Sequence, residues 1–145
     1  GLGDVYKRQI LTIRIQKMRT TPDDITELGD NEIFVFGSNL KGIHGAGAAR
    51  LAYKKFGAVW GVEFGSTGKC FAIPTKDRYI RTLPLKKIEP YINIFLKYAS
   101  TRPDLVFLVT QIGCGLAGYK PREIAPYFKD HSENVILPQV FHNNI

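Results

Sequence analysis

Chemistry in this chain of 145 residues concentrates in one short segment, GSNLKGIHGAG, where Asn39 and His44 stand among Gly37, Gly42, Gly45 and Gly47. Glycine reaches positive φ and lets bare backbone N–H groups approach an oxyanion. A helical pattern begins at Ala46–Gly47, and the free N–H groups and dipole at a helix start favour phosphate. An imidazole there suits acid–base work, or donates to a phosphate oxygen as a neutral ring. Asn39 serves equally as a turn former. A second segment, GCGLAGY, sets Gly113, Cys114, Gly115, Leu116, Ala117, Gly118 and Tyr119 behind another apolar run. Ligands of open α/β sheets bind beyond the carboxyl ends of the strands. Two such loops therefore predict a ligand with two phosphates, or with a phosphate and a sugar; tight turns alone are the competing reading. Familiar fingerprints fail: neither loop carries the Gly-Lys-Ser/Thr of a P-loop, and the dinucleotide pattern starting at Gly45 meets Arg50 at its sixth position.

The elements that must hold these loops follow from the apolar pattern. EIFVFG (Glu32–Gly37), KCFAIPT (Lys69–Thr75), DLVFLVTQI (Asp104–Ile112) and NVILP (Asn134–Pro138) read as strands, the first three of them buried on both faces. Ala48, Leu51, Ala52 and Lys55 fall at helical spacing, with Gly57 as the stop. Ile88, Ile92, Phe95, Leu96 and Ala99 form a second amphipathic helix, and KPREIAPYFKDH a third with Pro121 near its start. TPDD predicts a short helical turn capped by Thr21, with Pro22 at its first position. Alternating strands and helices predict an α/β domain: a mixed, mostly parallel sheet between two helical layers. No repeat or linker divides residues 18–145, so a single domain is expected.

Composition narrows the classes. No stretch approaches the ~20 apolar residues of a membrane span, and nothing resembles a signal sequence. Cys70 and Cys114 are too few for a disulfide framework and, with His44, His131 and His142 scattered, form no metal-ligand pattern. These features predict a cytoplasmic, monomeric chain without metal or cofactor. The net charge of +7 attracts phosphates in general. Asp4, Lys7, Arg8, Arg14 and Lys17 supply +3 of it, leaving +4 for residues 18–145. GLGDVYKRQ (residues 1–9) looks like translated sequencing adapter, and Met18, the only methionine, is the expected natural start. ILTIRIQK (Ile10–Lys17) alternates as a strand does, or belongs with that upstream segment.

DDITELGDNEIFVFGSNLKGIHGAG resembles the opening of macro domains, the ADP-ribose-binding α/β family, and IGCGLAGY resembles that family's second loop. The resemblance covers about residues 21–137, and its loops are most similar to the branch containing the terminal ADP-ribose glycohydrolases. It implies that Asp24 accepts a hydrogen bond from the adenine amine and Ile25 supports the ring, although Asp24 also suits a helix start. It implies that Asn39 faces the distal ribose. Gly37, Ser38, Gly42, Gly45, Ala46 and Gly47 would form one loop around the diphosphate, and Gly113 to Gly118 the other. Tyr119 matches an aromatic near the distal ribose. Lys76 falls on the nucleophilic lysine of that branch, which attacks the sugar carbon when burial depresses its pKa. The acid–base Asp of that branch is replaced here by Ala117, and no paired-Glu signature accompanies the first loop. The expected function is binding of ADP-ribose or an ADP-ribosylated substrate, with hydrolysis assisted by His44 or Lys76 as its extension. The alternative is a basic module whose loops grip nucleic-acid phosphates.

Overall fold

The computed structural model describes residues 1, 3–9 and 19–145. The strand expected at Ile10–Lys17 lies outside the described residues, as does Met18, while residues 3–9 are helical and exposed. Five strands form one sheet: β1 (Glu32–Asn39), β2 (Gly65–Thr67), β3 (Cys70–Lys76), β4 (Val106–Val109) and β5 (Val135–Ile136). Their order is β2-β3-β1-β4-β5, with only β2 antiparallel to its neighbour. The helices are α1 (Gly47–Lys55), α2 (Leu85–Ser100), α3 (Pro121–Ile124), which runs into a 3-10 turn at Ala125–Phe128, and α4 (Gln139–His142).

Strand periodicity divides the core into two. Phe34 and Phe36 of β1 point to one face with Cys70, Ala72, Val106, Leu108 and Ile136. Ile33 and Val35 point to the other with Phe71, Ile73, Phe107 and Val109. α1 covers the first face through Ala49 and Ala52, small residues that let the helix lie close over Phe34 and Phe36. α2 covers the second through Ile88, Ile92, Phe95 and Ala99, joined by Ile124, Phe128 and Phe141. The result is the expected three-layer α/β/α domain with a mixed, mostly parallel sheet. Among the described residues no helix is long and apolar enough to cross a membrane.

Four local expectations change. TPDD is not helical: Thr21 N–H donates to the Leu137 carbonyl and its hydroxyl to the Ile136 carbonyl, which fastens this segment to the end of β5. Those two bonds outcompete a cap, as side chains of this type readily allow. The connection before β3 contains β2, three residues too short and glycine-rich to show a pattern. β4 and β5 are shorter than the apolar runs that contain them. The third helix is reduced to one turn and a 3-10 turn, where Pro126 removes an amide donor.

β1 and β4 are sheet neighbours whose chains leave in opposite directions. β1 continues into α1 on one face, and β4 continues toward α3 and the 3-10 turn on the other. A crevice opens where such neighbours part.

Candidate functional site

A cavity of about 460 Å³ fills that crevice, within the ordinary range for small-molecule sites. The end of β1 contributes Gly37, Ser38 and Asn39, and the start of α1 contributes Gly45, Ala46 and Gly47. The loop after β4 contributes Gly113, Gly115, Leu116 and Ala117, and Lys76 arrives from the end of β3. A second cavity of about 290 Å³, lined by Asp24, Ile25 and Pro138 among others, shares Gly47, Ala48, Thr110 and Gln111 with the first. The two are halves of one cleft. Both glycine loops therefore converge as the sequence predicts, and Asp24 and Ile25 lie at the far end.

Each wall has a local cause. Ala46 precedes α1 in extended geometry and provides no side-chain cap, and the first turn holds no acid. The orphan N–H groups of this helix start thus stand at the cavity with nothing from the chain's side chains to satisfy them. Asn39 is buried, and its carboxamide is used twice within its own loop: Nδ2 donates to the Ile43 carbonyl at 2.8 Å, and Oδ1 accepts from Ile43 N–H at 3.1 Å. One N–H and one lone pair remain for a ligand. The Ser38 hydroxyl donates to the Glu63 carbonyl, and the Thr75 hydroxyl donates to the Ser38 carbonyl, which ties β1 to its surroundings at the cavity floor. A Cβ at Gly37 would make ordinary contact with Thr75 Oγ1 at 3.4 Å, so this glycine adds room at the floor but is not demanded by it.

Several predicted residues support the cleft from outside it. His44 does not line either cavity. It is 1% exposed, packs edge-on against Phe36 and under Tyr53 and Trp60, and places Nε2 2.9 Å from the Val59 carbonyl. The aromatic residues of α1 and the following turn cover it, so the reading of His44 as an open acid–base group is corrected to a buried loop anchor. Gly42 is likewise structural, since at φ 70° an added Cβ would lie 2.3 Å from the Gly61 carbonyl carbon. Tyr119 is turned away by its own hydroxyl, which donates to the Leu83 carbonyl at 2.6 Å, while its N–H closes the second loop onto Gly113. Cys114 and Gly118 lie in that loop without lining the cavity. Burial pushes the Cys114 thiol up to about 11 and the Cys70 thiol up to about 12, so neither is a thiolate at neutral pH.

Among the described residues Lys76 is the one charged residue lining the larger half, and no carboxylate does so. Asp77, next to it, is committed elsewhere: its carboxylate accepts from Tyr79 N–H, Arg81 N–H and Arg81 Nε. These bonds, the Arg81 amide foremost, hold its pKa below the usual carboxylate range. They close a turn in which Ile80, at φ 62°, is the sole non-glycine with positive φ among the described residues, and Ile80 lines the rim. Thr82 of the same turn donates to the Ala117 carbonyl at 2.8 Å and so joins the rim to the second glycine loop.

Thr75, Ile80, Thr110 and Gln111 are lining residues that sequence reasoning did not single out. Strand register brings Thr75 and Thr110 to the glycines, while the Asp77 turn carries Ile80: Asn39 pairs with Lys76 across a bulge, and Thr110 N–H and Oγ1 both donate to the Val35 carbonyl. Neither family models, curated proteins nor solved structures provide a match to this chain.

Proposed function

We propose that the chain binds ADP-ribose, or a group built on it, along the two-part cleft. The observation that carries this reading is the shared wall: a helix start without a side-chain cap separates a half containing Asp24 and Ile25 from a half enclosed by two glycine loops. In this reading Asp24 accepts from the adenine amine over Ile25. The first-turn amides of α1 and the Gly113–Leu116 backbone receive the diphosphate, with Lys76 as counter-charge. The spare hydrogen-bonding capacity of Asn39 is directed to the distal ribose. The resemblance of these segments to macro-domain loops supports the same assignment.

Capture is favoured over cleavage. Hydrolysis of a glycosidic bond through a lysine calls for an acid–base partner, yet Ala117 occupies the position of that acid, Asp77 is consumed by its turn, and His44 is walled off. We therefore read the site as a binding module for ADP-ribosylated partners.

Calorimetric titration with ADP-ribose tests this directly. Saturable one-to-one heat that changes little with salt is expected, because the ligand is enclosed and carries few phosphates. Absence of heat with ~1 mM ligand, where even such a Kd corresponds to only about 4 kcal/mol of binding, would sink the reading. Heat from polynucleotide that collapses with salt, combined with none from ADP-ribose, would instead assign the loops to nucleic-acid phosphates.

A further inference from the structure

Outside the cleft, α1 and the turn that follows it carry an aromatic pair whose inner sides cover His44 and whose outward exposure the nucleotide site does not explain. Tyr53 and Trp60 are 42% and 51% exposed, with ring centroids 5.3 Å apart and planes at 67°. Both rest on buried His44, so their inner sides are supported and their outer sides open. Trp60 occupies the corner of a turn in which Val62 N–H donates to the Val59 carbonyl and Gly61 takes φ 91°. Such corners ordinarily hold Gly, Pro, Asn or Asp, and a half-exposed Trp gains little for folding there. The corner is also fixed: Gly61 N–H donates to the Gly42 carbonyl at 2.8 Å, and Gly42 fits against Gly61 only because Gly42 has no side chain. That contact joins the backbone next to Lys41 in sequence to the backbone next to Trp60.

Along the stretch of chain that carries the pair, charge has one sign. Residues 33–62, between Glu32 and Glu63, contain Lys41, Arg50, Lys54 and Lys55 and no acid. Lys55 is directed to the Thr26 carbonyl, but Lys41, Arg50 and Lys54 are exposed, and Arg50 lies one turn from Tyr53 and Lys54 on α1. Exposed aromatic rings on a stretch of chain whose charges are all cationic are what a nucleic-acid strand needs, since bases stack on rings of any sequence and phosphates follow the cations.

We propose that Tyr53 and Trp60 form a stacking platform for single-stranded nucleic acid, with Lys41, Arg50 and Lys54 receiving its phosphates. This surface is separate from the cleft and stands whether or not the cleft holds ADP-ribose.

Trp60 is the only tryptophan of the chain, so its fluorescence reports this site alone. Titration with short oligothymidylate at low salt is expected to quench it saturably. The logarithm of affinity should fall against the logarithm of salt with a slope of about −2, from roughly 0.7 per neutralised phosphate for three cations. Tyr53→Ala and the double change Arg50→Gln with Lys54→Gln are each expected to weaken binding about tenfold or more. Trp60→Phe, followed by anisotropy of a labelled oligonucleotide, should bind more weakly yet measurably. Circular dichroism of each variant shows independently that it is folded. No quenching, quenching indifferent to salt, or full affinity in folded Tyr53→Ala overturns the proposal. Equal quenching by polyglutamate does so as well, by making the partner an acidic polypeptide. Self-association that buries Trp60 in the free chain overturns it in favour of a second copy.

Discussion

Asn39 and His44 show how two polar side chains, five residues apart in one glycine loop, come to different ends. Asn39 could be read at once, because an Asn after a buried strand serves the loop and a ligand by the same geometry. His44 could not, because its fate is decided by Tyr53 and Trp60, which close over it from the helix and the turn beyond. Replacing Asn39 with Ala removes both bonds to Ile43. Loss of about 1–3 kcal/mol of stability is expected in chemical denaturation, with ADP-ribose affinity reduced at least tenfold in calorimetry. Replacing His44 with Ala leaves a space lined by Phe36, Tyr53 and Trp60. A cost of about 2–4 kcal/mol is expected from the cavity, while ADP-ribose affinity in the surviving folded protein stays within a few fold, as a buried anchor requires. Gly42→Ala tests the closest backbone approach, and a Cβ 2.3 Å from the Gly61 carbonyl carbon should cost more than ~2 kcal/mol or prevent folding.

At the scale of elements, the continuous apolar runs made β1, β3 and α2 legible, since only buried strands and an amphipathic helix fit them. The same logic failed for Thr21 and for β2, whose structure is supplied by partners distant in sequence: Leu137 and Ile136 for the first, Cys70 to Ala72 for the second. Lys76, singled out through the resemblance to macro-domain loops, does line the cavity, whereas Thr110 and Gln111 carry no local signal. The start of α1 is the element on which the proposed binding turns. Ala46 is extended, as a capping residue should be, yet it offers no acceptor. Ala46→Asp is expected to cap the helix and raise stability by about 0.5–1 kcal/mol. The same carboxylate would occupy the anion position, so ADP-ribose affinity should fall at least tenfold. Thermal denaturation and calorimetry together read the two opposite effects, and a stabilised variant with undiminished affinity would remove the helix start from the site.

The whole molecule carries a pH dependence in groups that do not line the cleft. Burial, then the neighbouring His131 with its ring centroid 6.4 Å away, lowers the pKa of His142 from 6.5. A histidine with a depressed folded pKa takes up its proton more readily when unfolded, so stability is constant above about 6.5 and falls as pH drops below it. Glu32 has the other pattern. Its carboxyl accepts from Gly29 N–H and pairs with Arg19, which lowers its pKa from 4.5, so its contribution is lost only in more acid solution. Stability measured by denaturant titration should therefore decline in two separated windows, and His142→Asn should flatten only the upper one. The wall between the cavities carries a last consequence. Gly47 and Ala48 of α1, with Thr110 and Gln111 beyond β4, line both halves, so the two share one wall. Fragments seated in the two halves need not exclude one another, and a molecule joining them presents its second part at high effective concentration once the first is held. Selectivity would then reside in span: adenosine and ribose 5-phosphate would each bind weakly and together, while the linked compound outcompetes both.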